Sequence, residues 1–359
     1  MSEKQTKSDK TKPSHRYKSA ILGCGPRAAF HIQAYEGLDE IHLSAACDQR
    51  RERLDDYGKK YKIPHLYENL EAMLEKERPD ILHIVTPPAI REEPMELAAR
   101  FGVKGIIVEK PIALNPVQAG KIKSLVGRSG MKIAVNMQRR YFKTCLGLKK
   151  ILDEGKIGDI QWIRCVTKGN ILSMGPHMVD LMLFFMNNVR PIRVWAAANG
   201  MNGYDYGHPA PANMLVQYVF PGQKVVYFED AEDAVGTPGE TDFWQHGELD
   251  FWGTKGRAWW AQNRDWGYHG EGMKNAHVEK SSWEGSDVPG QREFTRAMAH
   301  WLDDDGKKHH NCLDNALQGF ETILATLQAA LTGKRVEFPC VPPDDIIKQL
   351  EAKLGGQVV

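Results

Sequence analysis

The 359-residue chain lacks several features that would direct its reading elsewhere. Its six cysteines (Cys24, Cys47, Cys145, Cys165, Cys312, Cys340) are scattered, with no C-x-x-C pair. That spacing excludes a disulfide framework and a standard zinc site, predicts no metal, and suits a reducing cytoplasm. No apolar run approaches the roughly 20 residues that span a bilayer. Residues 1–16 are polar and basic without an apolar stretch, so they read as a disordered tail rather than a secretory signal. Charge of one sign is missing too: 47 basic side chains face 46 acidic ones, and no global field draws nucleic acid or an anionic membrane. G-x-S-x-G, H-E-x-x-H and P-loop patterns are absent, which removes serine-hydrolase, zincin and NTPase chemistry.

What remains is ordinary globular material, 42 % hydrophobic and 26 % charged, long enough for two domains. Apolar runs at 19–22, 43–47, 81–85, 105–108 and 132–135 alternate with amphipathic stretches at 50–61, 69–76, 92–101 and 116–126. β-Branched runs separated by helices predict a doubly wound parallel sheet covered on both faces. Asn115 followed by Pro116 is a helix start, a capping oxygen and then a residue that needs no N–H. Beyond a linking helix at 146–154 the pattern changes to strands at 160–167, 193–198, 214–220, 224–229, 247–252 and 257–260, with tight turns at 221–222 and 253–256. A helix at 175–186 interrupts them, and helices at 291–302 and 311–332 follow. The expected division is a tail (1–16), a dinucleotide-binding domain (17–140), an α+β substrate domain on one large, mostly antiparallel sheet (141–332), and a C-terminal extension (333–359).

The first strand runs into Gly23-Cys24-Gly25-Pro26-Arg27-Ala28, a G-x-G-x-x-A turn. Gly23 permits the turn, Gly25 lets a pyrophosphate approach, and Ala28 allows close helix packing. Asp48 ends the second strand, 23 residues after Gly25, where an acid accepts the ribose hydroxyls of NAD. Asp48 therefore favours NAD. Gln49, Arg50 and Arg51 follow it, and an arginine there binds a 2′-phosphate, so NADP stays open.

Three further stretches resemble the glucose–fructose oxidoreductase, inositol dehydrogenase and rhizopine-catabolism (Gfo/Idh/MocA) family: Thr86-Pro87-Pro88, Glu109-Lys110-Pro111, and Gly175-Pro176-His177-Met178-Val179-Asp180. The resemblance extends from Lys18 over nearly the whole chain. It implies a Rossmann domain plus an open-faced sheet, an NAD(P)-dependent dehydrogenase of sugars or polyols, and a homodimer or homotetramer formed through that sheet. Thr86, Pro87, Glu109 and Lys110 are the cofactor-side residues it implies. Independently of the family, Lys110 follows a strand's carboxyl end and suits stabilisation of a developing alkoxide. His177 titrates near neutral pH as a proton acceptor, and Asp180, three residues on, shares its helix face and is expected to orient it. The family's dehydrogenases usually carry Asp where this chain has Ser173, and often His where it has Arg91.

Asn136 and Gln138 should border the nicotinamide, and Arg139 or Arg140 should bind an anionic or polyhydroxylated substrate. Trp266 and Tyr268 are read as lying in a glycine-rich loop and touching the sugar by stacking. The leading expectation is hydride transfer to or from a sugar, sugar acid or cyclitol in the cytoplasm, with Lys110, His177 and Asp180 catalytic. Redox-neutral elimination from a glycoside through transient oxidation is the alternative, and a non-catalytic cofactor sensor the third.

Overall fold

The computed structural model describes residues 16–204, 208–232 and 239–355. The expected tail, Arg16 apart, lies outside the described residues. The apolar runs of the first part become β1 (Tyr17–Leu22), β2 (Ile41–Cys47), β3 (His65–Tyr67), β4 (Ile81–Ile84), β5 (Gly105–Glu109) and β6 (Lys132–Asn136). The helices between them are α1 (Ala28–Gln33), α2 (Arg51–Tyr61), α3 (Leu70–Glu77), α4 (Glu92–Arg100) and α5 (Pro116–Ser129). All pairings are parallel, in the order β3-β2-β1-β4-β5-β6. The order reverses between β1 and β4, and ligands of open α/β sheets bind at that switch, beyond the carboxyl ends. Helices on both faces explain why Ile81, Leu82, Ile84, Ile106, Ile107 and Val108 are fully buried without alternation. The Asn115 side chain accepts from the Gln118 amide at 2.9 Å, capping α5 as its Asn-Pro start predicts.

Next come α6 (Lys143–Asp153), β7 (Ile160–Lys168), α7 (Gly175–Phe185), β8 (Arg193–Tyr204), β9 (His208–Val219) and β10 (Val225–Ala231). After them stand β11 (Gly247–Gly253), β12 (Gly256–Ala261), β13 (Asp265–Gly270) and β14 (His277–Lys280). The chain closes with α8 (Asp287–Asp303), α9 (Leu313–Thr332), β15 (Val336–Glu337) and α10 (Ile346–Leu354). These strands form one sheet, β14-β13-β12-β11-β7-β10-β9-β8-β15, antiparallel except where β7 meets β10. Its inner face packs Ile163, Phe228, Leu249 and Phe251 against α7. The other face is open: Trp195, Leu215, Tyr227 and Trp252 are each exposed by 38–49 %.

Two late helices return to the first sheet. Phe294 and Met298 of α8 pack with Ile81, Ile107 and Ala134, while Leu317 and Phe320 of α9 join the core of Ile106 and Val135. Chain order and packing therefore diverge, and the seam between the two sheets is held from both sides.

Trp266 and Tyr268 require a correction, because they belong to strand β13 and not to a loop. Their glycine neighbours serve close backbone approach: a Cβ on Gly267 would sit 2.2 Å from the His277 carbonyl oxygen, and one on Gly270 2.3 Å from that of Lys156. The Trp266 ring is 6 % exposed and lies over Gly147 of α6, where a Cβ would come within 2.7 Å of it. Trp266→Ala should thus lower stability by about 3–5 kcal/mol in urea unfolding, the cost of emptying a large aromatic site. A loss below 1 kcal/mol would contradict the packing.

Candidate functional site

The site begins where β1 ends. Gly23 has φ +96°, and a Cβ there would meet the Val85 carbonyl oxygen at 2.3 Å, so the turn admits only glycine. A Cβ on Gly25 would meet nothing within 4 Å, which leaves open space over the backbone. Ala28 is fully buried and packs with Ile21 and Ala46. Asp48 is fixed at the end of β2, its Oδ2 accepting from the Cys24 amide at 2.7 Å and its Oδ1 from the Arg50 amide at 2.8 Å. Gln49 and Arg50 beside it are exposed.

A cavity of about 610 Å³ runs from Gly25, Pro26 and Arg27 past Thr86 and Glu109 to Lys110, Ser173 and His177. Thr86 lines it, with its Oγ1 buried and without a partner, whereas Pro87 is exposed and outside its lining. Glu109 Oε1 accepts from His31 Nε2 at 2.8 Å, Asn136 Nδ2 at 2.6 Å and Arg27 Nε at 3.2 Å. Burial alone would push this carboxyl up. The His31 hydrogen bond and the Arg27 charge overcome that and hold it well below the usual carboxylate range. Asn136 Nδ2 is thereby committed to Glu109 and Gln291, and Gln138, which lines the cavity, donates its Nε2 to Asp287 at 2.7 Å.

Lys110 Nζ donates to the Ser173 carbonyl oxygen at 3.0 Å, which places its ammonium beside α7. Arg91, buried behind it, donates to the carbonyl oxygens of Glu109 and Pro111 and to that of Lys110 at 3.4 Å. This arginine braces the Glu-Lys-Pro turn from behind. Ser173 Oγ and His177 Nδ1 are both buried and unpartnered, and both residues line the cavity.

Two expectations for the catalytic helix need revision. His177 does not titrate near neutrality: burial, then the positive charges of Arg139 and Lys110, push it well below its ordinary value. Asp180 does not orient it. The Asp180 carboxylate is buried against Arg140, with Nε to Oδ2 at 2.8 Å, and receives Asn311 Nδ2 at 3.1 Å. A charged, forked donor outcompetes a neutral imidazole for a buried carboxylate. Arg140 is accordingly enclosed, also donating to Asn188 Oδ1 at 2.8 Å, and lies outside the cavity lining. Arg139 lines it instead, whereas Trp266 and Tyr268 do not.

Sequence reading also missed Asp230 of β10. Both its oxygens are buried and unpartnered, and burial pushes its carboxyl well above the usual range. A Cβ on Gly175 would come within 2.7 Å of Asp230 Oδ2, so the start of α7 rests directly on it. Inward alternation along β10 was the one available signal. Among the described residues no cluster of His, Cys, Asp and Glu is arranged for a metal, and no helix is long and apolar enough to cross a membrane.

The open backbone at Gly25, the fixed Asp48 and the unpartnered Thr86 hydroxyl fit an extended dinucleotide. Residues 17–137 match the model of the oxidoreductase family with an NAD-binding Rossmann fold. Over that stretch the chain is similar to the Gfo/Idh/MocA oxidoreductases. A D-apiose dehydrogenase of Paraburkholderia graminis is 29 % identical over 56 % of this chain and 57 % of its own length. The chain thus spans a little over half of that relative. A D-apiose dehydrogenase of Rhizobium rhizogenes is 22 % identical over 89 % of this chain and 97 % of its own length. The fold is similar to that of an Agrobacterium radiobacter oxidoreductase solved with NAD+, L-tartaric acid and magnesium, with a TM-score of 0.78, 18 % identity, and coverage of 90 % of this chain and 98 % of that one.

If Asp180 serves the Arg140 ion pair, Asp180→Asn should cost about 3–5 kcal/mol of stability, the penalty for unpairing a buried charge. Chemical denaturation checks it, and an unchanged midpoint would return Asp180 to the catalytic group.

Proposed function

We propose that the protein is an NAD-dependent oxidoreductase that exchanges a hydride with a secondary alcohol or ketone of a sugar, sugar acid or cyclitol. One observation carries this reading: Lys110 and His177 line the same cavity that begins at the glycine turn. The relatives named as D-apiose dehydrogenases support a sugar hydroxyl as the reacting group. NAD, when bound, supplies the hydride acceptor. Gly25 and Pro26 would receive its pyrophosphate, Asp48 its ribose and Thr86 its nicotinamide side.

The chain's own residues do the rest. Lys110 Nζ, steadied by the Ser173 carbonyl, donates to the substrate oxygen and stabilises its developing negative charge. His177 is neutral at physiological pH and lines the cavity, so its imidazole takes the hydroxyl proton. In ketone reduction the same two groups work in reverse. The exposed apolar face of the nine-stranded sheet suits a second copy of the chain. Elimination from a glycoside and cofactor sensing gain no separate support from the site.

Lys110→Met and His177→Ala should each lower turnover by about 10²–10⁴-fold, the usual contribution of a positioned acid or base. Steady-state NADH formation on an identified polyol is the measurement, and near-normal turnover in either variant would refute the pairing.

The pH dependence follows from the direction of the His177 shift. A proton acceptor must be neutral, and a lowered value keeps it neutral until the pH falls well below 6.5. Alcohol oxidation should therefore hold its plateau from neutrality through pH 6.5, with any acid limb lying lower. A limb centred at or above 6.5 that vanishes in His177→Ala would contradict this environment.

Asp48→Ala should narrow the preference for NAD+ over NADP+ in calorimetry, since repulsion of a 2′-phosphate disappears. Equal affinities in the unmodified protein would move that role to Arg50 or Arg51.

A further inference from the structure

The arginines near the catalytic pair are not equally satisfied. Arg27 is held by two carboxylates, Glu109 at 3.2 Å and Asp287 at 3.1 Å. Arg140 is held by Asp180 at 2.8 Å. Arg139, next in the chain, is 1 % exposed, yet it forms no ion pair among the described residues. Its one oxygen partner is the Trp244 carbonyl at 3.1 Å, and its other acceptors are the thioethers of Met178 at 3.6 Å and Met174 at 4.0 Å. Nε has no partner at all, and the Trp283 ring lies 5.7 Å from Cζ.

A guanidinium carries five N–H donors and is costly to take from water without a counter-ion. Two sulfurs and one carbonyl do not offset that. Burial lowers the Arg139 value to about 10, which still leaves the group charged at neutral pH. The protein thus maintains an enclosed, under-satisfied cation in the wall of its cavity, beside Lys110, Ser173 and His177. Its charge is the second cause of the His177 depression, after burial, and both residues line the same cavity.

We propose that the substrate carries a carboxylate that pairs with Arg139 while Lys110 and His177 work on a nearby hydroxyl. The substrate class is then a polyhydroxy acid, such as an aldonate or uronate. This rests on the reading of the cavity as the substrate site of an oxidoreductase. A planar carboxylate matches the fork of a guanidinium, and one cation balances one monoanion. Serine at 173 adds no negative charge to oppose it. The aromatic walls from Trp244 and Trp283 leave the rest of the molecule a surface to lie on. Arg139 is a specificity residue in this scheme, and proton transfer stays with His177.

Matched ligands test the idea on the NADH-loaded full chain by fluorescence titration: D-gluconate against D-glucitol, D-galacturonate against D-galactose, and galactose 6-phosphate as a phosphorylated control. Each acid should bind about 10-fold or more tightly than its neutral partner, the worth of a charge-assisted hydrogen bond. Arg139→Gln should bring the two within about threefold, and Arg139→Lys should retain part of the preference, keeping charge but losing the fork. Melting curves and NADH affinity establish that both variants are folded. Where Arg139→Gln does not fold, the matched pairs on the unmodified chain and Arg139→Lys still decide. Neutral ligands binding as well as the acids, acid selectivity surviving Arg139→Gln, or the phosphorylated sugar binding best would each overturn the proposal. Selective acid binding without NAD+ reduction on any ligand would overturn the oxidoreductase reading and leave only the carboxylate subsite at Arg139 standing. NAD+ reduction by neutral polyols alone would do the reverse.

Discussion

The site depends on one buried carboxylate. Glu109 ends β5 and accepts from Arg27 at the start of the first helix, from His31 in its last turn and from Asn136 at the end of β6. Arg27 then reaches Asp287 of α8, so a single charge ties the nucleotide turn, two strand ends and the returning helix together. Behind it His31 and His83 meet at 3.0 Å between their Nδ1 atoms, and Tyr35 closes the row on His83 Nε2 at 2.8 Å. Burial lowers both imidazoles, His83 strongly, which leaves Glu109 as the anion of the group and Arg27 as its cation. Lys110 is the next residue along, so its direction into the cavity is inherited from this arrangement. Arg91 fixes the same turn from the opposite side through backbone carbonyls. A histidine has too few donors to hold three carbonyl oxygens, so the arginine makes that position structural.

Much of the first domain was legible because its signals are local. Gly23 needs a positive φ, Asn115 caps the helix that Pro116 begins, and fully apolar strands announce a sheet covered on both sides. Asp48 was placed by counting from Gly25, and the structure puts it against that same turn. The inner strands of the second sheet were legible for a related reason, since burial alternates along β7, β10 and β11.

The errors share one physical origin. Arg139 and Arg140 are adjacent, and no periodicity says which one faces the cavity and which one finds Asp180. A short 3₁₀ turn at Gln138–Tyr141 decides it. Asp180 was assigned from helix spacing, which fixes the face a residue occupies but not the partner waiting there. Trp266 looked free because glycines flank it, yet those glycines admit neighbouring backbone from Lys156 and His277. In each case a contact between residues far apart in sequence overrides a sound local argument.

The charge distribution makes these corrections cohere. Burial does most to depress His177, and the charges of Arg139, Lys110 and, least, Arg27 add to it against the opposing charge of Glu109. Burial pushes the carboxyl of Asp230, the other acid near the base of α7, well above the usual range. A histidine so weakened is a poor base taken alone. In the proposed reaction the neighbouring cations would lower the cost of the alkoxide that forms as the proton leaves. A ligand that neutralised Arg139 would relax the depression of His177 as it bound, strengthening the base when the hydroxyl is in place. The unusual residues of this site, Ser173 without charge and Arg139 without a counter-ion, are two parts of one electrostatic balance.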